Sequence, residues 1–236
     1  MVLVLLILAT VGVFQQGAGY LLPQLAISVL TAVGLDYVIV YIKSKKILFS
    51  TSAVISGLII ALILKPGVSW YIPIFAALIA IGSKHVIRIK GKHIFNPANF
   101  GLLLSMFVLR TYLGWWGSSI VWLVLVLGGL IAYRFKRFHL LISFLITQFV
   151  LLGTYSALNG EPILNAISMA NLFFIFVMLV EPKTSPITRN GRIIYGVLTG
   201  IFSSLFILVV PVHDPSVMGL ALSNLFVPVI NNKVKG

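Results

Sequence analysis

Residues 91–110 are GKHIFNPANFGLLLSMFVLR, a basic turn that runs through an Asn-Pro step into a long apolar segment. Proline fits the first turn of a helix, where its missing N–H leaves no hydrogen bond unmade, so Pro97 predicts a helix start. About 17 apolar residues can suffice to cross a bilayer core. We therefore predict a membrane span at 97–113 that is entered from a basic turn.

The composition extends this interpretation to the whole chain. Of its 236 residues, 60% are hydrophobic and 9% are charged, and the mean hydropathy is +1.12. A soluble domain carries roughly a quarter charged residues, so the apolar surplus must face lipid or other membrane helices. The sequence predicts an all-α integral membrane protein in which residues 1–236 form a single transmembrane domain in a lipid bilayer.

The residue content also excludes several classes of function. A net charge of +13 suits a nucleic-acid partner only where a water-facing basic domain exists, and this apolar chain leaves none. Without cysteine, the chain cannot form disulfides or ligate an iron–sulfur cluster. Its four histidines lack close metal-ligand spacing, and the usual nucleotide-binding and serine-hydrolase motifs are missing. We expect no nucleic-acid partner, no structural metal and no catalytic residue.

Charged clusters and Pro/Gly turns divide the chain into about ten short transmembrane helices. The predicted spans are 2–14, 20–42, 48–64, 69–83, 97–113, 118–133, 139–158, 163–180, 193–211 and 216–231. The positive-inside rule tests this number, since one helix more or fewer would invert every later turn. Only Lys65 and Arg110 of the 17 basic residues fall on the opposite side from the rest. We predict a prokaryotic inner (plasma) membrane protein with both termini in the cytoplasm.

Five spans in each half give the two halves opposite orientations, which suits the inverted repeats of many transport folds. We predict two five-helix inverted repeats, at about 1–113 and about 118–236. The third and eighth spans hold equivalent places in these repeats. Both begin with small polar residues, at 50–52 and 168–171, where discontinuous helices are expected.

Four residues inside the predicted spans are candidates for an ion pathway: Asp36, Asn171, Phe173 and Phe174. An ionised carboxylate within a span is costly unless it is paired, hydrated or bound to a cation, so Asp36 is interpreted as a proton or Na+ site. A position near the membrane interface is the alternative for Asp36. The two phenylalanines could narrow a passage, and plain packing or lipid contact is their alternative.

Two turns carry the most informative motifs. Their residues are Phe95, Asn96, Pro97 and Ala98 in the first, and Glu181, Pro182, Thr184, Ser185 and Pro186 in the second. Each turn joins a basic loop to a helix, with proline at the helix boundary and Asn, Thr or Ser available as caps. Irregular backbone is therefore expected to enter or border the membrane, and a tight, well-capped turn is the alternative.

Together these turns resemble the signature of the RnfD and NqrB family of membrane electron-transport proteins. The similarity continues in STSAVISGLIIALILKP at 50–66, in Trp70 and a GSKH-like turn at 82–85, and in MGLALSNLFVPVI at 218–230. The resemblance implies a helical fold similar to urea and ammonium transporters. It also implies a membrane subunit, dependent on other membrane subunits, of a flavin-containing redox complex linked to Na+ or H+ movement.

Typical members of that family also carry FMN on a threonine of an SGAT-like motif outside the cytoplasm. The corresponding loop here, RTYLGWWGSS at 110–119, contains Thr111 without that context, so covalent FMN is not expected. Noncovalent FMN or riboflavin stays compatible with the sequence, since a flavin needs an apolar slot and a few polar contacts. The candidate residues are Thr51, Ser52, Asn96 and Asn99. Helix capping and hydrogen bonds across the bundle are the alternative for these four side chains.

Two functions follow from the sequence. The first is a membrane component of an Rnf/Nqr-like redox complex that couples flavin-mediated electron transfer to Na+ or H+ movement, and it is based on the resemblance. The second is a stand-alone channel or transporter for a cation or a small neutral solute on the same scaffold. It is based on the missing flavin-attachment motif and the short chain.

Overall fold

The computed structural model describes residues 1–45, 50–89, 91–209 and 213–234. Three residues of the predicted basic turns, Lys46, Lys90 and Lys235, lie outside these ranges. The ends of two predicted spans, at 48–49 and 210–211, also lie outside them.

Ten α-helices make up most of the described chain, as predicted for an all-α protein. They are α1 (Val2–Gln16), α2 (Ala18–Ser44), α3 (Thr51–Ile63), α4 (Tyr71–Val86), α5 (Pro97–Leu109), α6 (Val121–Arg134), α7 (Phe138–Leu158), α8 (Asn165–Ser168), α9 (Arg189–Val209) and α10 (Pro215–Lys233). A short hairpin pairs β1 (Arg88–Ile89) with β2 (Lys92–His93). A 3-10 turn at Trp116–Ser118 and a π-helix at Phe174–Met178 are the other regular elements of the described residues.

Three of the described helices, α2, α7 and α9, are long and apolar enough to cross a membrane. Five shorter helices, α1, α3, α4, α5 and α6, are also apolar. At about 1.5 Å per residue, the 27 residues of α2 extend over about 40 Å, whereas the 13 residues of α3 cover about 20 Å of a bilayer core roughly 30 Å thick. Long and short spans together make this a multi-pass membrane protein, as predicted.

The span predicted at 97–113 is a shorter helix, α5. It ends at Leu109, because Arg110 adopts the left-handed backbone conformation with φ 50°. The chain then turns back toward the end of α3, where Leu113 forms an antiparallel bridge with Leu64. Pairing between two backbone segments replaces further helical turns and satisfies polar groups that lipid cannot bind.

The span predicted at 163–180 is a broken helix. The helix α8 has four residues, and after a break at 169–171 the chain resumes helical structure that leads into the π-helix. The carboxamide oxygen of Asn171 accepts the N–H of Phe174 at 3.0 Å, which caps this second piece. The discontinuity expected in the eighth span is therefore confirmed. The one expected at the start of the third span, at 50–52, adjoins residues outside the described ranges and stays a prediction; from Thr51 to Ile63, α3 is continuous.

Residues Met1–Arg88 and Pro97–Leu123 form a first compact unit that contains α1 to α5. The helix α3 packs against the other four helices of this unit, and residues 58–64 are almost fully buried. Two glycines permit the closest contacts. A Cβ at Gly57 would lie 2.7 Å from Val29 Cα of α2, and one at Gly101 would overlap the carbonyl oxygen of Ala76 of α4. Membrane helices use small residues in this way because van der Waals packing holds them together.

Side chains from two other segments bind the last carbonyls of α3. Gln24 of α2 donates through Nε2 to the carbonyl oxygens of Ala61 at 2.8 Å and Leu64 at 3.2 Å. The indole N–H of Trp116 donates to the carbonyl oxygen of Ala61 at 2.6 Å. A helix leaves its last four carbonyls without partners, and a lipid core offers no donors. These bonds allow α3 to end inside the unit.

Residues Ile89–Asn96 and Val124–Gly236 form a second compact unit that contains α6 to α10. The helix α9 packs against both α7 and α10. Phe174 packs on Phe144 of α7, with 5.7 Å between the ring centroids. The two units meet in sequence between Leu123 and Val124, which lies a few residues beyond the predicted repeat boundary. The inverted relation between the repeats stays a prediction.

Candidate functional site

A buried cluster of charged side chains lies where α2, α3 and α4 meet. The side chain of Asp36 on α2 is 1% exposed, and its Oδ1 lies 2.8 Å from Lys84 Nζ and 2.6 Å from His85 Nε2. Lys84 and His85 are in the last turn of α4 and are 13% and 11% exposed. Because an ionised carboxylate within a membrane protein must be paired, these two contacts explain how Asp36 is tolerated there.

The start of α3 completes this Asp36 cluster. Lys84 Nζ also donates to Ser52 Oγ at 2.8 Å and to Ser50 Oγ at 3.2 Å, so each of its three N–H groups has an acceptor. The second carboxylate oxygen of Asp36, Oδ2, is buried and accepts no hydrogen bond from the described residues. The cluster thus combines a buried carboxylate, two partly buried basic side chains and two hydroxyl groups.

The cluster forms because antiparallel helices bring three helix ends together within the first unit. Asp36 lies about two turns before the end of α2, Lys84 lies in the last turn of α4, and Ser52 lies in the first turn of α3. Lys65 follows the opposite end of α3. Within this unit, the alternation of basic turns predicted from the positive-inside rule is therefore present.

In the second unit, Asn224 of α10 joins the two motif turns. Its Oδ1 accepts the backbone N–H of Asn96 at 3.1 Å. Its Nδ2 donates to the carbonyl oxygen of Thr184 at 3.3 Å and to the Tyr195 hydroxyl at 2.6 Å. Asn224 and Tyr195 are both fully buried. One carboxamide therefore holds Asn96 of the first motif close to Thr184 of the second.

Hydrogen bonds from its own side chains close the Glu-Pro turn. Thr184 Oγ1 donates to Glu181 Oε2 at 3.2 Å, and Ser185 Oγ donates to the carbonyl oxygen of Glu181 at 2.8 Å. Thr184 and Ser185 are both buried. The geometry of the second motif is thus the tight, well-capped turn that the sequence left open as an alternative.

Arg137 lies in the turn between α6 and α7 and is buried although it is basic. Its NH1 donates to the carbonyl oxygen of Pro186 at 3.1 Å, and Arg192 Nε donates to the same oxygen at 3.2 Å. Burial, together with the positive charge of Arg192, lowers the pKa of Arg137 to about 10. Because the charged form loses hydration there, this guanidinium costs stability that the hydrogen bond to Pro186 partly offsets.

The four predicted flavin residues have different surroundings. Thr51 is exposed in the first turn of α3, whereas Ser52 is bonded to Lys84. Asn96 and Asn99 are buried, the first just before α5 and the second in its first turn. Three cavities of about 300, 440 and 520 Å³ are lined by other residues. The structure brings Ser52 into the Asp36 cluster, and a flavin role for the four residues stays a prediction.

The four predicted ion-pathway residues divide between the two units. Asp36 is the buried acid of the cluster in the first unit. Asn171, Phe173 and Phe174 lie at the broken eighth span of the second unit, where both phenylalanines are fully buried. Phe174 contacts Phe144, so the pair takes part in core packing. A passage beside the two rings stays a prediction.

Lys84, His85 and Asn224 are missing from the residues that the sequence singled out for a site. Lys84 and His85 belong to the GSKH-like turn, and Asn224 belongs to the segment at 218–230. A usable signal existed for the first two. Charged groups in membrane interiors pair with one another, and Lys84 stands close to the end of a span while Asp36 is the one acid within a predicted span.

Comparisons of the sequence with known proteins identify related chains. The sequence matches the model of the NQR2, RnfD, RnfE family over residues 1–120 and 103–236. The D subunit of the ion-translocating oxidoreductase complex of Methanosarcina acetivorans is 27% identical over 208 residues, which cover 78% of this chain and 71% of that protein. The D subunit of the same complex in Haemophilus influenzae is 34% identical over 125 residues, or 50% of this chain and 34% of that protein. Its counterpart in Citrobacter koseri is 32% identical over 50% of this chain and 35% of its own.

Proposed function

The chain belongs to the NQR2, RnfD, RnfE family, and we propose that it is a membrane component of an ion-translocating oxidoreductase complex. The names of the archaeal and bacterial relatives support this proposal. The match covers about a third of the bacterial relatives, so the activity of those whole proteins is carried to this chain only as part of the proposal. The chain then lies in a prokaryotic inner membrane, with both termini in the cytoplasm, and works beside other membrane subunits.

The observation that carries the ion-handling part of this proposal is the buried Asp36 cluster. Ionisable groups are rare inside membrane bundles and commonly mark ion or proton pathways. Asp36 is fully buried, yet two basic side chains reach one of its oxygens. The helices α2, α3 and α4 each contribute to the cluster, so a relative movement of these helices would change the environment of the charge.

The redox part of the proposal involves a noncovalent FMN or riboflavin. A bound flavin would supply one- and two-electron transfer. The side-chain hydroxyl of Ser50 does not cap the first turn of α3, and Thr51 is exposed there. These features fit a ribityl hydroxyl or a phosphate at Thr51, because first-turn N–H groups and hydroxyls bind such oxygens. Ser52, Asn96 and Asn99 are engaged in packed surroundings.

The proposed function is tested by recovery of the complex from its own membranes. A tagged chain is extracted in mild detergent, and we expect other membrane subunits to co-purify in comparable amounts. In vesicles, Asp36→Asn should lower redox-driven ion uptake more than electron transfer. The matched control is Glu161→Gln, which removes an acid from an exposed turn and should change neither rate. A chain that purifies alone, without colour, and conducts ions by itself would instead support the channel or transporter.

The flavin is tested by the visible spectrum of the purified complex and by acid release from the separated chain. We expect flavin that acid releases from this chain and that Thr51→Ala reduces. Thr111→Ala is the matched control, since it alters the loop where covalent FMN would be attached. Flavin that survives acid and disappears in Thr111→Ala would contradict noncovalent binding.

A further inference from the structure

We propose that the ammonium group of Lys84 fills a binding site for a monovalent cation, and that the Asp36 cluster is therefore not a Na+ site while Lys84 is in place. The occupancy of this site by Lys84 is inferred from its own contacts. Its part in ion movement rests on the function proposed above.

Oxygen atoms surround the ammonium group in the manner of a cation site. Lys84 Nζ has three close oxygens, which are Asp36 Oδ1 at 2.8 Å, Ser52 Oγ at 2.8 Å and Ser50 Oγ at 3.2 Å. Hard cations prefer carboxylate and neutral oxygen ligands of this kind. Three N–H donors meet three acceptors, so the tethered ammonium satisfies the site without water.

A tethered cation excludes a free one for two reasons. Lys84 is part of α4, so its effective concentration at the site is high and it does not need to be captured from solution. A metal ion added beside it would place two cations at one buried carboxylate, which is costly in a membrane interior. Na+ can therefore enter only where Lys84 is removed.

The experiment compares two replacements of the same lysine in the purified full-length chain. Lys84→Ala removes the ammonium and leaves its space open, whereas Lys84→Met removes the charge and keeps the space filled. Binding of radioactive Na+ is measured at constant ionic strength, with choline as the replacement cation. We expect one Na+ per chain in Lys84→Ala, and none above background in Lys84→Met or in the wild type. The surface control Lys43→Ala should behave as the wild type, since Lys43 is exposed at the end of α2.

A double variant identifies the ligand. Asp36→Asn combined with Lys84→Ala should lose the Na+ that Lys84→Ala binds, because the carboxylate is the charged ligand of the cage. A folded Lys84→Ala chain that binds no Na+ overturns the proposal. So does a wild-type chain whose Na+ binding is lost in Asp36→Asn.

Thermal unfolding of the wild type provides a readout that requires no altered lysine. We expect the same unfolding midpoint in Na+ and in choline. Stabilisation of the wild type by Na+ overturns the proposal. Because these measurements need no partner protein or flavin, their failure is distinguishable from a failure of the redox function proposed above.

Discussion

The two units hold their helix ends together with different chemistry. In the first unit, the Asp36 cluster joins α2, α3 and α4 through an ion pair and a histidine. In the second unit, Asn224 joins the motif turns to α9 and α10 through neutral groups, namely two backbone groups and the Tyr195 hydroxyl. The first cluster contains charged side chains, whereas the amide of Asn224 is neutral and does not titrate.

This difference distinguishes the Asp36 cluster, a site that can respond to ions, from Asn224, a residue that only holds the structure together. A buried ion pair costs hydration and is weak support for stability by itself. A fully bonded buried amide loses little on burial and positions whatever it binds. We infer that Asn224 positions the two motif turns and that the Asp36 cluster is the part of the chain able to respond to ions. Four measurements test that contrast.

The largest loss of stability is expected when the ion pair between Asp36 and Lys84 is broken. Lys84→Met leaves Asp36 without the ammonium group that it pairs with and should lower the free energy of unfolding by about 3–5 kcal/mol. Combining it with Asp36→Asn should recover most of that loss, because no charge is then left unpaired. Chemical unfolding in detergent measures the double-mutant cycle. If the two substitutions were additive, the ion pair would not be the contact that matters.

A smaller loss of stability is expected when Asn224, which bonds both motif turns through neutral groups, is replaced. Asn224→Ala removes hydrogen bonds to Asn96, Thr184 and Tyr195, and should cost about 2–4 kcal/mol at about 1 kcal/mol for each bond plus the groups left unpaired. The matched control is Asn231→Ala on the same helix, which loses one hydrogen bond, to the N–H of Ile187. That control should cost about 1 kcal/mol. If Asn224→Ala and Asn231→Ala lowered the free energy of unfolding equally, Asn224 would not be the residue that holds the two motif turns together.

Substitution of Arg137 tests whether the stability of the second unit depends on pH only outside the physiological range. Its folded pKa of about 10 lies below the ordinary value of an arginine, so at pH values between the two the unfolded chain binds more protons than the folded chain. The free energy of unfolding should therefore rise with pH there, by at most about 1.4 kcal/mol per pH unit, and Arg137 should add nothing to its pH dependence near neutrality. Arg137→Gln should remove this rise, whereas Arg134→Gln at an exposed position should keep it. Unfolding of both variants at alkaline pH is the measurement.

The smallest expected change in stability distinguishes Ser52 from its neighbour Thr51 at the start of α3. Ser52→Ala loses the hydrogen bond from Lys84 and should cost about 1 kcal/mol. Thr51 is exposed, so Thr51→Ala should change stability by less than about 0.5 kcal/mol. The same unfolding assay compares the two. A reversed order would mean that Lys84 does not depend on the hydroxyl of Ser52.

Much of the helical layout could be predicted from local patterns. The predicted span at 139–158 corresponds closely to α7 (Phe138–Leu158), since a long apolar run between charged turns has few other structures available in lipid. The span at 163–180 was predicted to be discontinuous at its polar residues 168–171, and its helix breaks at 169–171. Hydropathy does not record the hydrogen bond from Phe174 to Asn171 that starts the helix again after the break.

The residues of the candidate site also fall into two groups: those that the sequence identifies and those that only the structure reveals. Asp36 could be identified from the sequence because a lone acid in an apolar span is conspicuous. Its partner Lys84 is 48 residues away along the chain, and no local pattern states which helix ends meet. Asn224 is still farther from Asn96, at 128 residues. These pairings follow from helix packing, in which small residues such as Gly57 and Gly101 set how closely two helices approach.

The amino-acid sequence by itself determined that this protein lies in a membrane, where most of its helices begin and end, and which turns carry basic charge. Those properties depend on hydropathy and charge summed over neighbouring residues, and a lipid core leaves the backbone few alternatives. Only the tertiary structure decided that Asp36 binds Lys84 and His85 and that Asn224 joins two distant turns. Such contacts depend on distances of about 3 Å between residues far apart in the chain, and hydrogen bonds weaken steeply beyond that range.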